Sequence, residues 1–382
     1  MSPTLYEIFT EEISHAFDGG IYAELIQNRS FEEGVLPSVM KLIKKPDSGL
    51  KMELVSLSDG VPTNKWDMPW PWNMNCGWDT NRVLVGWSLQ GGGEMNLTEA
   101  NPMNVASLRS LKLKVLGQAR LVNSGYWGIN AQTGPPSALK FYLRSGSYRG
   151  KLTVSLESKD GKVLADHDFG AVKPGTAWKA FTATLNASGT DPKARFVLTF
   201  RGEGVLQVDW VSLFPPTCKN RPNGLRSDLA KWLENYKPSF VRYPVGCYVK
   251  GLSWQSAPDW RKMVCPPEER PDMWGYWKYR STDGFGYHEF LEFCENIGAN
   301  ATNALAFNGA EPHVELRRDI TCQRRFSGAA LLLNNRVVMA TFRTVSVGGE
   351  KTLRQLVSHD EYLFTMRKER KVSLRDRQSQ MT

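Results

Sequence analysis

The metal-binding side chains of this 382-residue sequence are too widely spaced for most site chemistry. The six cysteines, Cys76, Cys218, Cys247, Cys265, Cys294 and Cys322, include no Cys-x-x-Cys pair, so no structural zinc site is expected. Nor is their scatter that of a disulfide scaffold. One or two bridges would fit, and cysteine usage leaves the compartment open. His15 and His288 stand alone, and neither is assigned a metal. What remains is aromatics and carboxylates. An aromatic face stacks on the C–H face of a sugar as readily as it fills a core. Trp277 fits either role. Trp66, Trp70, Trp72, Trp78 and Trp87, with Tyr126 and Trp127, offer a sugar-binding platform or, as the better expectation, core and inter-domain packing.

Three regions would have to position these groups. In residues 1–33, Leu5, Ile8 and Phe9 predict a strand. It ends in a loop at Asp18-Gly19-Gly20, and a short helix is expected around Ile21–Gln27. Residues 34–215 read as β-sheet. Leu152, Val154 and Leu156 alternate with polar residues, Asp160-Gly161 supplies a turn, and Val163 resumes the apolar side. Phe196, Leu198 and Phe200 alternate in the same way, and after Gly202-Glu203-Gly204 so do Leu206, Val208 and Trp210. Turns every ten residues or so suggest a β-sandwich of the jelly-roll kind. From about 216 the pattern changes. Leu225, Leu229, Trp232, Leu233 and Tyr236 fall at helical spacing, and Phe240-Val241-Arg242-Tyr243 reads as a strand closed by Pro244. Phe290, Leu291, Phe293, Cys294 and Ile297 form a second helix stopped by Gly298, and Leu305-Ala306-Phe307 is the next strand. Helix–strand–helix–strand is the rhythm of a parallel α/β fold.

Composition narrows the class. The sequence is 41% hydrophobic and 23% charged, ordinary for a folded protein. Apolar runs such as Ala329–Leu333 are far shorter than the ~20 residues of a membrane-spanning helix, so no membrane role is expected. Met1-Ser2-Pro3-Thr4-Leu5-Tyr6-Glu7 has neither the basic nor the apolar stretch of a signal peptide, and none is expected in this chain. Asn28, Asn96, Asn186 and Asn300 begin N-glycosylation tripeptides, mild support for a secretory route. The net charge is +9, and residues 311–382 hold 14 Lys+Arg against 8 Asp+Glu. A basic tail can attract nucleic acid. No aromatic interleaves the charges of Arg367–Arg377, so a solvated tail is the better expectation and no nucleic-acid partner is assigned.

Several colinear segments together carry a family resemblance. They are Leu5-Tyr6-Glu7-Ile8-Phe9-Thr10-Glu11-Glu12-Ile13, the run from Asp18-Gly19-Gly20 to Asn28-Arg29, and Val211-Ser212-Leu213-Phe214-Pro215 with Asn220-Arg221-Pro222-Asn223-Gly224. Arg242-Tyr243-Pro244-Val245-Gly246-Cys247, Glu269-Arg270-Pro271, Trp274-Gly275-Tyr276-Trp277 and Thr282-Asp283-Gly284-Phe285-Gly286 continue the set. Over residues 3–309 the sequence resembles the α-L-arabinofuranosidases of glycoside hydrolase family fifty-one. The resemblance implies a fold of α/β plus β: the N-terminal part of a (β/α)8 barrel with an inserted carbohydrate-binding-like β-sandwich (jelly roll). The segments would be 1–33 for the first barrel strand and loop, 34–215 for the insert and 216–309 for the partial barrel. Ser124-Gly125-Tyr126-Trp127-Gly128-Ile129 resembles the insert's own pattern. Barrel sites form at the C-terminal strand ends. There the resemblance places Glu11 on the arabinose ring, Arg242 beside site carboxylates or paired in the barrel wall, and Cys247, Trp277 and Asn308 as further substrate contacts. Glu12, facing the other way, is expected to be structural.

Such enzymes are retaining glycosidases that remove terminal non-reducing arabinofuranosyl units from arabinose-containing polysaccharides, and most are extracellular. They use two glutamates ~5–5.5 Å apart and no cofactor. The acid/base glutamate follows Gly-Asn in the family, and no Asn-Glu pair occurs after position 310. Residues 310–382 are therefore expected to be an atypical basic tail without a fold, as a shifted reading frame or mis-joined exon would leave. The chain as written is expected to lack both catalytic glutamates and to be inactive. Pro244-Val245-Gly246 replaces the family's Pro-Gly-Gly, Glu7 and Phe17 stand at usual glycines, and Thr10 stands at a common aromatic. The alternative function is a non-catalytic carbohydrate-binding protein.

Overall fold

The computed structural model describes residues 6–34, 40–45, 49–54, 84–244, 248, 260–275, 277, 279–305, 338–347, 350–357 and 362–366. The strands before the larger sheet are β1 (Glu7–Phe9), β2 (Met40–Lys45) and β3 (Gly49–Leu54). An eight-stranded antiparallel sheet follows: β4 (Trp87–Thr98), β5 (Ser110–Asn123), β6 (Ile129–Ala131), β7 (Ser137–Ser145), β8 (Arg149–Glu157), β9 (Val163–Val172), β10 (Lys179–Leu185) and β11 (Asp191–Phe214).

The 24-residue β11 is the spine of that sheet. It pairs with β5 along one side, and with β8 and then β7 along the other. The alternation at Phe196, Leu198 and Phe200 and at Leu206 and Val208 buries all five side chains in one apolar core. Phe141, Leu152, Val154 and Leu156 of β7 and β8 fill the same core. Gly202-Glu203-Gly204 interrupts the apolar alternation but not the strand. A Cβ on Gly202 would lie 2.2 Å from the Arg149 carbonyl oxygen, so glycine lets β8 close onto the spine. The β8–β9 hairpin turns at Asp160-Gly161, as its sequence signal predicts, with Gly161 at φ +88°. Trp87 is buried and donates from Nε1 to the Asn28 carbonyl (2.9 Å). The other tryptophans of 66–78 lie outside the described residues.

The second region is α1 (Ser227–Tyr236), β12 (Phe240–Tyr243), the short pair β13 (Met273–Trp274) and β14 (Arg280–Ser281), α2 (Tyr287–Ile297) and β15 (Asn300–Leu305). β1, β12 and β15 pair in parallel, with α1 and α2 on the crossovers. Both helices were legible from their period, and Gly298 ends α2 at φ +71°. Val241, Tyr243, Phe285, Phe290 and Phe293 form the core beneath them.

Three expectations need correction. No helix forms at 21–27: the chain coils at Phe17–Ile21 and then runs extended, because Tyr22 bridges to Leu225 and the Leu25 N–H donates to the Leu213 carbonyl (3.0 Å). The third strand begins earlier than expected, at Asn300, and includes Leu305; Ala306-Phe307 lies outside the described residues. The third correction concerns the stretch after 310, which carries β16 (Val338–Val347), β17 (Glu350–Val357) and β18 (Tyr362–Met366). They add antiparallel to β15, extending the sheet to six strands. Val, Thr and Phe in Val338–Val347 favour a strand, and the open edge of β15 supplies a template for one.

The chain crosses between the two regions twice, and the crossings are bonded to each other. Besides Leu25 to Leu213, the Val211 N–H donates to the Arg29 carbonyl (2.8 Å) and the Arg226 N–H to the Ile21 carbonyl (2.8 Å). The buried Glu24 carboxylate accepts from the Leu213 N–H (2.9 Å), the Ser212 hydroxyl (2.6 Å) and Arg29 (3.2 Å).

Candidate functional site

β1 ends at Phe9, and the two carboxylates that follow diverge as expected for neighbours on an extended chain. The Glu11 carboxylate is buried, and its Oε1 accepts the Tyr248 backbone N–H (2.8 Å) and the Trp277 indole N–H (3.0 Å). Charge-assisted bonds of this kind are the stronger class and fix the carboxylate's orientation. Glu12 turns inward. It accepts the N–H groups of Phe17 (3.0 Å) and Asp18 (3.1 Å) and the Tyr279 hydroxyl (2.6 Å). Burial, then the nearby Asp18 charge, pushes its pKa well above the ordinary value. Glu12 ties the loop after β1 to the turn between β13 and β14.

Arg242 lies on β12. Its Nη2 bonds Glu7 (2.7 Å) and its guanidinium lies 5.1 Å from the Phe9 ring centre. The structure thus joins Glu11 with Trp277, and Arg242 with Glu7 instead. Cys247 and Asn308 lie outside the described residues. Phe17, at a family glycine, stacks on Phe285 at 4.8 Å.

Several participants escaped sequence reasoning. The Tyr248 hydroxyl donates to Asp283, which also accepts the Ser281 hydroxyl (3.2 Å). Burial pushes Asp283 up to about 7. Asp18 accepts the Thr282 N–H (2.6 Å) and hydroxyl (2.7 Å). Arg270 reaches both oxygens of Glu289 (2.9 and 2.8 Å) and the carbonyls of Cys265, Asp283 and Gly284. For Asp18, Arg270, Thr282 and Asp283 the only sequence signal was their place in the resembling segments. Nearby, Ser30 of the segment after β1 bonds Asp272 (2.6 Å), and Lys140 of the eight-stranded sheet pairs with Glu268 (2.8 Å). Above it, His15 stacks on Tyr279 at 3.9 Å and meets Tyr126 and Trp127 edge-on, each at 5.5 Å. Among the described residues no cluster of His, Cys, Asp or Glu could hold a metal.

Comparison with known proteins gives this geometry a setting. The profile of the alpha-L-arabinofuranosidase 1 domain matches residues 232–324, past 309 where the family pattern was expected to stop. The chain is 33% identical over 299 residues to alpha-L-arabinofuranosidase 1 of Arabidopsis thaliana, covering 78% of this chain and 39% of that protein. It is 32% identical over 312 residues to an extracellular exo-alpha-L-arabinofuranosidase of Streptomyces chartreusis, covering 78% and 32%. The solved structure of the arabinose-bound MgGH51 α-L-arabinofuranosidase superposes with a TM-score of 0.64 at 29% identity, over 79% of this chain and 44% of that one. The chain thus spans about two fifths of the length of the curated relatives it matches. Over nearly four fifths of its residues the chain is similar to α-L-arabinofuranosidases, the solved one among them a GH51 enzyme.

Proposed function

We propose that this chain recognises the terminal non-reducing α-L-arabinofuranosyl unit of arabinose-containing polysaccharides and oligosaccharides, as part of a retaining α-L-arabinofuranosidase. The carrying observation is the buried Glu11 carboxylate at the end of β1, fixed by two N–H donors. Both converge on Oε1, and in this reading Oε2 accepts a sugar hydroxyl. Trp277 positions that carboxylate and presents an indole edge beside it. Cys247 and Asn308 are further contacts in this reading. Of the two roles open to Arg242, its ion pair with Glu7 favours pairing within the sheet.

In this reading β1, β12 and β15 are the first strands of a (β/α)8 barrel, and the eight-stranded sheet is an inserted jelly-roll sandwich. An extracellular setting fits the disulfide-bonded state of Cys265, the exposed side chains of Asn96 and Asn186 and the Streptomyces relative's name. Asn28 is buried and bonded to the Val85 carbonyl, so it is no glycosylation site in the fold.

Retaining hydrolysis needs an acid and a nucleophile ~5–5.5 Å apart. Asp283 has an acid's pKa, about 7, but lies sealed under Tyr248 and Ser281 and cannot reach a substrate. The sequence contains no Asn-Glu pair. The 382-residue chain is accordingly proposed to bind arabinose without turning over an aryl arabinofuranoside. Calorimetric titration with arabinose should show saturable binding. E11Q should weaken it at least tenfold, and W277F should weaken it less, since a bond to a charged group is worth ~1.5–3 kcal/mol. Absence of binding by the unaltered chain would sink the recognition reading. Normal turnover would sink the claim of inactivity.

A further inference from the structure

Trp127 is 58% exposed, although it belongs to the aromatic pile of His15, Tyr126 and Tyr279. An indole left in water forgoes the ~25 cal/mol per Å² that burial of its apolar area would return. Its position is nonetheless fixed from three sides. The Lys193 ammonium donates to the Trp127 carbonyl (2.7 Å), and the His15 ring edge abuts the indole. Gly128 follows at φ +107°, where a Cβ would fall 2.7 Å from the Pro192 carbonyl oxygen. Only glycine fits there, so the turn that presents Trp127 is pinned to the start of β11. Tyr126 is seated as firmly: a Cβ on Gly19 would lie 2.5 Å from its ring.

This platform is continuous with the site. Trp127 touches His15, which stacks on Tyr279, whose hydroxyl holds Glu12, the residue after Glu11. His15 is also anchored to that loop, its Nδ1–H donating to the Asp18 carbonyl (3.1 Å). A flat, pre-positioned aromatic face, joined through His15 and Tyr279 to the loop that carries Glu11, suits a second ring of the same glycan. The eight-stranded region brings it there, so the insert lends a residue to a site built by the parallel strands.

Resting on the arabinofuranosyl reading above, we propose that Trp127 is an aglycone-side stacking platform for the pyranose ring of the polysaccharide main chain that carries the arabinofuranosyl unit. A rigid platform loses little conformational entropy on binding, so stacking shows directly in affinity.

The test is calorimetric titration of the full chain with arabinose, xylotriose and an arabinofuranosyl-substituted xylotriose. The unaltered chain should bind the substituted trisaccharide at least tenfold more tightly than arabinose. W127A should abolish most of that ratio and W127F should keep part of it, with the near-ultraviolet dichroism of the fold retained in both. E11Q should weaken arabinose and the substituted trisaccharide together. A W127A chain that keeps the full ratio overturns the platform while leaving the arabinose reading intact. Binding of xylotriose that W127A removes, in a chain that does not bind arabinose, keeps the platform and discards the arabinose reading. Equal affinity of the unaltered chain for arabinose and the substituted trisaccharide also overturns the platform.

Discussion

The two regions of the molecule differ in what holds them together. The eight-stranded region is dominated by one large apolar cluster, with Phe141, Leu198, Phe200 and Val208 fully enclosed, and its buried charges, Glu157 and Asp209, are few beside it. The parallel region buries Glu11, Glu12, Asp18, Arg270, Asp283 and Glu289 beside Phe17 and Tyr243. Apolar burial is non-directional and returns free energy in proportion to area. Buried charge returns little net, but it is expensive to leave half-made. The first region is thus built as a scaffold. The second accepts a costlier interior, in which nearly every polar group has one place to be. Pre-positioned polar groups are what a sugar site needs, because a hydroxyl is recognised by direction as well as by contact.

The largest test of this contrast is Arg270. R270M removes the guanidinium but leaves Glu289 buried, which should cost ~3–5 kcal/mol in urea unfolding. The change should fall on the transition reported by the parallel region. R270M combined with E289L should recover much of that loss. If it does not, the carbonyl contacts of Arg270, and not the ion pair, hold this region. Next comes Leu198→Ala on the spine strand. A cavity in a dry core should cost ~2–5 kcal/mol, with arabinose affinity unchanged. Altered sugar affinity would show that the scaffold and the site are coupled more tightly than the packing implies.

The smallest expected effect is on pH dependence. Burial raises Asp283 from 3.8 to about 7, so the fold prefers its protonated form. Its contribution is fully present below about pH 4 and is lost as pH rises through 7. The melting temperature should therefore fall across that window, and D283N should flatten the fall. Glu32, pushed up to about 7, and Glu33, pushed up to about 8, act with the same sign, so a residual slope should remain. An unchanged slope in D283N would place the titration elsewhere.

What the sequence disclosed follows the same division. Alternation at Leu152–Leu156 and Phe196–Phe200, the turn at Asp160-Gly161 and the helix around Phe290 were all readable, because apolar periodicity is a local signal. The polar network was not. Glu11 meets Tyr248 and Trp277, and Asp18 meets Thr282, across more than two hundred residues of chain, and no local period records such pairs. The expected helix at 21–27 failed for a related reason: non-local bridges to Leu213 and Leu225 took the backbone groups that a helix would have used. The strands after 338 were missed because charge composition was read ahead of β-branched content. Trp127 was expected to be packed, and exposure at the junction is what the sequence could not show.

The paired crossings at Leu25–Leu213 and Val211–Arg29 carry an engineering consequence. Among the described residues the chain enters and leaves the eight-stranded region side by side, its two crossings a hydrogen bond apart. Chain ends that lie side by side are the condition under which a module can be excised, transplanted or circularly permuted. The eight-stranded region is therefore wired as an exchangeable cassette. Glu24 and Arg29 are its latch: a graft that keeps both should seat, and one that cuts between them would strand a buried charge in each half.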